Sequence, residues 1–140
     1  MSAAAEFVLD APEGSVLALG GMDSYNVPIP GLISYNTTSG LWSNMTTNGL
    51  TDSGTSMFGQ LHFVPGFGSA GLLVALGGQT SDKTQWAPSN DFLSLQSINI
   101  FDPVTSIWAS QTTSGSLPPP RTHFCSVGVQ GDNGTFEVWN

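Results

Sequence analysis

The sequence predicts an all-β chain made of repeated short sheets. Two nearly identical strings support this prediction, SVLALGG at 15–21 and GLLVALGG at 71–78. In each string a short apolar run ends in two glycines, which is typical of a buried strand followed by a turn whose φ angles glycine reaches at low cost. The 17 glycines and 9 prolines also argue against long helices. Because the string occurs twice, it indicates a repeat architecture.

The first repeat is predicted to span about 14–55, after an extended lead-in at 1–13 that ends in a turn. Its first strand covers 16–19 and leads into Gly20 and Gly21. The alternating run LISY at 32–35 predicts the next strand, and NTTSG at 36–40 has the composition of a turn. Residues 41–45 then predict a third short strand with Trp42 pointing inward.

The second repeat is predicted to span about 56–120 and follows the same order. An alternating run at 56–64 precedes the apolar strand at 72–76, the pair Gly77 and Gly78, and a long loop at 79–92. A strand at 97–101, a turn at 102–106 and a strand containing Trp108 follow. A proline-rich link then leads to RTHFCSVGV at 121–129, which starts a third repeat covering about 121–140.

The spacing of equivalent residues supports a true repeat. Trp42 and Trp108 lie 66 positions apart, whereas Gly20 and Gly77 lie 57 apart. The loop after the second glycine pair is longer than the loop after the first, and this accounts for the difference. Insertions confined to one loop are expected in repeat proteins.

Charge excludes two classes of partner. The chain has two basic residues, Lys83 and Arg121, against ten acidic ones, for a net charge of −8. Such a surface cannot neutralise a nucleic-acid backbone, and it is repelled by anionic lipid. The first residues lack the basic and apolar regions of a signal peptide, and no segment approaches the roughly 20 apolar residues of a membrane span. If the parent protein is secreted or anchored, we expect those signals outside residues 1–140.

The order of these features resembles the kelch repeat: an apolar strand with a glycine pair, a strand ending in an aromatic residue, a tryptophan, and a proline-rich link to an arginine-led strand. The matching positions are Gly20, Gly21, Tyr35, Trp42, Gly77, Gly78, Phe101, Trp108 and Arg121. The position aligned with the arginine in the preceding repeat holds Ser56. The amino-acid sequence of these motifs is most similar to that of fungal extracellular or membrane-anchored kelch-repeat proteins.

This resemblance implies a partial β-propeller of about two complete kelch blades plus the edges of flanking blades. Propeller blades have four strands each, and ~4–8 of them close a ring. An arc of two blades leaves apolar faces and strand edges exposed. We therefore interpret the chain as a fragment, and we expect the remaining blades in a longer parent protein.

Galactose-oxidase-like enzymes share the kelch propeller, so the resemblance also raises a copper site built from two histidines and two tyrosines, with one tyrosine cross-linked to a cysteine. The residues of those types here are His62, His123, Tyr25, Tyr35 and Cys125. The histidines do not occupy equivalent repeat positions, Tyr35 is a repeat-signature aromatic, and the cysteine is expected in a buried strand. We therefore predict no catalytic residue, metal or cofactor. The aspartates lie mostly in predicted turns, where a calcium or substrate site stays open as an alternative.

Three aromatic residues in predicted loops are candidate contact residues, because propeller loops carry recognition surfaces. They are Trp86, Tyr25 and Phe67. The competing interpretation is that they anchor their loops onto the blades. The partner is an unknown protein or a glycan.

Three sequons place candidate N-glycosylation sites at Asn36, Asn44 and Asn133, each in or beside a predicted turn. They favour an extracellular or cell-surface location. The leading hypothesis is a non-catalytic binding module of a larger secreted or membrane-anchored protein. The alternative is a fragment of a galactose-oxidase-like copper oxidoreductase whose ligands lie in absent blades. A cytosolic kelch adaptor is a third possibility, which the sequons and the scarcity of basic residues disfavour.

Overall fold

The computed structural model describes residues 5–11, 14–23, 25, 27–46, 50–51, 54–80 and 91–139, with side chains from residue 14 onward. This part of the chain is all-β, as predicted, with one short 3-10 turn at Asp132–Gly134. The strands are β1 (Ala5–Ala11), β2 (Ser15–Gly20), β3 (Leu32–Asn36), β4 (Trp42–Met45), β5 (Gln60–Val64), β6 (Leu72–Leu76), β7 (Ser97–Asp102), β8 (Ile107–Thr112), β9 (Val127–Gln130) and β10 (Phe136–Trp139).

The strands form three antiparallel sheets. Blade 1 has the order β1-β2-β3-β4, blade 2 has the order β5-β6-β7-β8, and the third sheet consists of β9 and β10. Two four-stranded blades and part of a third confirm the predicted partial propeller. Strand β1 lies inside the expected lead-in and pairs with β2, so the first sheet begins before residue 14.

Each blade has a front face that carries its tryptophan and a back face on the opposite side. In blade 1, Val16, Tyr35 and Trp42 lie opposite one another across β2, β3 and β4, which places them on the front face. In blade 2, Phe101 pairs with Leu73 on β6 and with Trp108 on β8 in the same way. Because side chains alternate along a strand, the intervening residues form the back faces.

The main hydrophobic core lies between the back face of blade 1 and the front face of blade 2. Blade 1 contributes leucines of β2 and β3, and blade 2 contributes leucines of β5 and β6 together with its aromatic pair. The buried members are Leu17, Leu19, Leu32, Leu50, Leu61, Leu73, Ala75, Phe101 and Trp108. Burial of this shared surface holds the two blades together.

The two glycine pairs adopt the conformations that the sequence predicts. Gly20 and Gly21 have φ angles of 78° and 103°, and Gly77 and Gly78 have φ angles of 62° and 88°. These values lie in the left-handed region, where residues with a Cβ atom are strained. The glycines therefore end β2 and β6 and turn the chain into the following loop.

Three expectations were wrong in detail. Trp42 is 70% exposed instead of pointing inward, because no described part of the chain packs on the front face of blade 1. Cys125 is exposed, because it lies in the link before β9 and not in a buried strand. The strand predicted at 56–64 begins only at Gln60, because Phe58 has a φ angle of 63° that interrupts the extended backbone.

Candidate functional site

The link at 121–126 joins blade 2 to the third sheet and lies against the glycine pair of blade 2. The backbone N–H of Gly78 donates to the carbonyl of Arg121 over 3.0 Å. A Cβ atom at Gly77 would lie 2.8 Å from the ring of Phe124 and 3.0 Å from the carbonyl oxygen of Arg121. The glycines therefore serve a second purpose, since they leave room for the next repeat to approach. The Nε group of Arg121 itself donates to the carbonyl of Pro119.

Polar side chains of β5 fix the same link. His62 Nε2 lies 2.7 Å from the hydroxyl of Ser126, which in turn donates to Gln60 Oε1 over 3.4 Å. The amide of Gln60 donates to the carbonyl of Phe124 over 2.9 Å. Burial lowers the pKa of His62 below its ordinary value of 6.5, because the charged imidazolium loses solvation. The neutral imidazole is therefore the form that this seam favours.

A structural repeat that the sequence pattern missed lies beside these bonds. Phe58 and His123, 65 positions apart, both have positive φ angles, of 63° and 55°. Their rings stack with centroids 4.1 Å apart, and the backbone N–H of His123 donates to the carbonyl of Phe58. Neither residue is glycine, so composition gives no signal for this conformation; only the 65-residue spacing could have found it.

An apolar cleft of about 410 Å³ opens between the back face of blade 2 and the third sheet. Its walls come from β6 and β7 on one side and from β10 on the other. The lining residues are Val64, Phe67, Leu72, Val74, Leu76, Ile98, Ile100, Gln111, Phe136 and Val138. Sequence reasoning did not find this cleft. Leu72, Val74 and Leu76 lie at every second position of β6, however, and together they indicate an apolar back face.

No family model matches the chain. A curated protein named Kelch repeat-containing protein, from Arthroderma benhamiae, is 33% identical over 99 residues, which cover 69% of this chain. Together with the glycine pairs and the four-stranded sheets, this similarity decides the family. The chain belongs to the kelch-repeat proteins. The matched stretch spans only 14% of the relative's length, and its fungal source is consistent with the resemblance to fungal kelch-repeat proteins.

The kelch blades do not bring the candidate copper ligands together as a set. His62 bonds to Ser126, and His123 stacks on Phe58. Tyr35 packs on Trp42 on the front face of blade 1, with ring centroids 4.6 Å apart. Among the residues the structure describes, no three His, Cys, Asp or Glu side chains could jointly hold a metal ion. In the same residues no helix has the length and apolar character needed to span a bilayer.

Tyr25 projects from the loop between β2 and β3 and is 78% exposed. Its loop is fixed by Asp23, whose carboxylate accepts hydrogen bonds from the backbone N–H groups of Tyr25 and Val27 over 2.8 and 2.9 Å. This Asx turn orients the backbone while leaving the aromatic ring in solvent. Tyr25 therefore has the exposure that a contact residue needs.

The other two candidate contact residues do not join Tyr25 in one described surface. Phe67 lies in the turn between the first and second strands of blade 2, whereas Tyr25 follows the second strand of blade 1. Successive antiparallel strands turn at alternating ends of a blade, so these two residues lie at opposite ends. Phe67 is 42% exposed and also lines the apolar cleft. Trp86 lies outside the described residues.

The three sequons differ in their surroundings. Asn36 Oδ1 accepts hydrogen bonds from the backbone of Thr38 and Ser39 in the β3–β4 turn. Asn44 lies within β4, and its amide donates to the carbonyl of Pro30 over 3.3 Å. Asn133 lies in the exposed β9–β10 turn with a φ angle of 62°. Asn44 and Asn133 are both exposed, but the amide nitrogen of Asn44, the atom that a glycan would join, donates to Pro30, and this favours Asn133 as the glycosylated residue.

Proposed function

We propose that this chain is a non-catalytic binding module, the kelch part of a larger secreted or membrane-anchored protein. The observation that supports this most is the exposure of an apolar surface at each end of the blade series. The front face of blade 1 exposes Trp42, and the outer face of the third sheet exposes Val127, Val129 and Trp139. In a propeller such faces pack against neighbouring blades.

Further blades in the parent protein would bury both surfaces. Soluble monomers rarely leave large contiguous apolar patches exposed to water, so we expect each of the two faces to pack against another protein surface. The curated relative is several times longer than the stretch it shares with this chain, which is consistent with additional repeats. This supports the proposal that the chain is a fragment.

The binding surface of this module is the end of the blades that bears the loop of Tyr25 and the long loop between β6 and β7. Loops held on a rigid sheet scaffold are where propellers place recognition residues. An exposed tyrosine offers both an apolar ring and a hydrogen-bonding hydroxyl to a protein or a glycan. The net charge of −8 disfavours nucleic acid as a partner.

The test uses the secreted parent protein. We expect it to bind a subset of the glycans on an array, or a cell-surface protein recovered by cross-linking. Tyr25→Ala and Trp86→Ala should weaken that binding, while Val104→Ala in the β7–β8 turn at the other end should not. Equal binding by all three variants would contradict the placement of the surface. Copper loading provides the second arm: stoichiometric copper with alcohol-oxidase activity would replace the proposal with the oxidoreductase alternative.

The extracellular assignment is tested on the same material. We expect glycosidase treatment of the secreted protein to reduce its mass, with the largest contribution lost in Asn133→Gln. Asn44→Gln serves as the matched control, because the amide nitrogen of Asn44 is engaged with the carbonyl of Pro30. An unchanged mass in the wild-type protein would remove the support that the sequons give.

A further inference from the structure

A cavity of about 370 Å³ lies in the seam between the two complete blades, at the end opposite the loop of Tyr25. Blade 1 contributes residues of β2, β3 and β4, and blade 2 contributes its β5–β6 and β7–β8 turns. The lining residues that matter for the argument are Ser15, Leu17, Ser34, Met45, Ala70 and Val104. All of them belong to four-stranded sheets or to the turns of such sheets.

The cavity is polar because blade 1 carries serines where blade 2 carries larger apolar side chains. Ser34 pairs with Leu17, which lies three residues before the first glycine pair. Ile100 pairs with Val74, which lies three residues before the second glycine pair. Ser34 therefore occupies in blade 1 the position that Ile100 occupies in blade 2.

Ser15 differs from its counterpart in the same way. It lies five residues before the first glycine pair, and Leu72 lies five residues before the second. Leu72 and Ile100 line the apolar cleft, whose described lining residues include no hydroxyl. The polar cavity is therefore a property of the seam between blades 1 and 2 and does not recur with the repeat.

The serines place hydrogen-bonding groups at the cavity. Ser34 Oγ lies 2.8 Å from Ser43 Oγ on the neighbouring strand, and either hydroxyl can be the donor. A hydroxyl has one donor and two acceptor sites, so this mutual bond uses one O–H and leaves the other O–H to bond elsewhere. Ser15 adds a third hydroxyl at the cavity wall.

The rest of the cavity wall is apolar and uncharged. Leu17, Met45 and Ala70 present C–H surface, and none of the described lining residues is ionisable. A charged ligand would lose its solvation there without gaining an opposite charge. Sites for small molecules typically combine an apolar lining with a few polar groups that fix the orientation. The wall therefore suits a neutral ligand that has both C–H faces and hydroxyl groups.

We propose that this cavity binds a neutral polyhydroxylated ligand of about the size of one hexose unit. The ligand's hydroxyls form hydrogen bonds with Ser15 and Ser34, and its C–H face packs on Leu17 and Met45. The volume of about 370 Å³ lies at the lower end of the range for small-ligand sites, ~300–1,000 Å³. This inference goes beyond the proposed function, because the site lies at the other end of the blades from Tyr25.

The test titrates the intact 140-residue chain with the methyl glycosides of glucose, galactose and mannose and follows its backbone amides by NMR. We expect saturable shifts at Ser15, Ser34 and Val104 with at least one glycoside, and no shift at Tyr25. Dissociation constants in the millimolar range are expected, because affinity is limited by the small number of ligand atoms. Methyl glucuronide, which has a carboxylate on the same ring, should not bind, because the cavity offers it no cation.

Variants of the chain locate the site. Ser34→Ile introduces the side chain that blade 2 has at the equivalent position, and it should weaken binding about tenfold or more, because it fills the cavity and removes a hydroxyl. Ser110→Ile is the matched control, because Ser110 is exposed on β8 and does not line the cavity. Thermal unfolding checks that both variants are folded. Ser15→Leu is the second cavity variant if Ser34→Ile fails to fold.

Three results would overturn the inference: no saturable shift with any of the three glycosides, equal binding by Ser34→Ile and the wild-type chain, or shifts at Tyr25 in place of Ser15 and Ser34. The first would mean that the cavity holds solvent alone. Failure of the proposed function is distinguishable, because it is measured with variants of the opposite end on a glycan array. Millimolar binding is lost when such an array is washed, so Val104→Ala stays a valid control there.

Discussion

The two complete blades carry the same aromatic pair in the same register but bury it to very different extents. Tyr35 lies opposite Trp42 in blade 1, and Phe101 lies opposite Trp108 in blade 2. The ring centroids are 4.6 and 5.2 Å apart, with similar tilts of 39° and 48°. Yet Trp42 is 70% exposed and Trp108 only 6%. The strand sequences form the pair, whereas the neighbouring blade decides whether it becomes core.

Removing the tryptophan from each blade should have unequal effects on stability. Trp108→Ala leaves a cavity between the blades and is expected to cost about 3–5 kcal/mol. Trp42→Ala removes an exposed ring that packs mainly on Tyr35, and should cost about 1 kcal/mol or less. Urea unfolding of both variants measures the difference. Equal losses would mean that the front face of blade 1 is covered in solution.

The glycine pair of blade 2 provides a second test of the seams. Gly77→Ala introduces both left-handed strain and a clash with Phe124, so we expect a loss of about 2–4 kcal/mol. Gly115 is the matched control, because its φ angle is 94° but a Cβ atom there meets nothing within 4 Å. Gly115→Ala should therefore cost only the backbone strain, about 1 kcal/mol. If the two variants are equally stable, close approach of the link does not constrain Gly77.

Acid should weaken the seam of the third sheet more than the seam between the blades. Burial lowers the pKa of His62 in the folded chain below 6.5, so the unfolded chain takes up a proton first as the pH falls. The free energy of unfolding is therefore highest above about pH 6.5, where His62 is neutral in both states, and it decreases below that pH. The other side chains bonded in this cluster, Gln60 and Ser126, carry no charge. The main seam contains no histidine among its core residues.

Hydrogen exchange at about pH 7.5 and about pH 5.5 measures this difference. After correction for intrinsic exchange rates, the protection of β9 and β10 should decrease more at the lower pH than the protection of β2 and β3. His62→Gln should remove this dependence, whereas His123→Gln should retain it. A wild-type chain whose third sheet is equally protected at both values would contradict the assignment to His62.

The smallest effect is spectroscopic. Acrylamide should quench the fluorescence of Trp42 more than that of Trp108, because the quencher reaches exposed indoles. The contribution of each is obtained by comparing Trp42→Phe and Trp108→Phe with the wild-type chain. Protection of Trp42 in the parent protein, but not in the 140-residue chain, would sharpen the comparison by showing that another blade covers it.

Much of this architecture follows from the sequence because it depends on local backbone chemistry. Gly77 and Gly78 predicted the end of β6, since their conformation requires glycine wherever the chain is placed. The alternating run of β7 likewise predicted its strand. Strand β1 was missed because AEFVLDA, within the expected lead-in, has no glycine pair or repeat partner to identify it.

The candidate site was less predictable, because its geometry depends on residues distant in sequence. His62 and Ser126 lie 64 positions apart, and their contact arises only when the link packs along β5. Phe67 is a loop aromatic that is 42% exposed, and its position beside the cleft arises only when folding brings β6, β7 and β10 together. Tyr25 keeps the exposure expected of a loop aromatic.

The sequence by itself determined the strands, the glycine turns and the repeat that makes this a kelch chain, because these follow from side-chain alternation and φ preferences within a few residues. Only the tertiary structure decided which equivalent residues are core and which are surface. Trp42 and Trp108 have the same local signature, but burial requires a second surface. Blade 1 covers Trp108, and no described residue covers the front face where Trp42 lies.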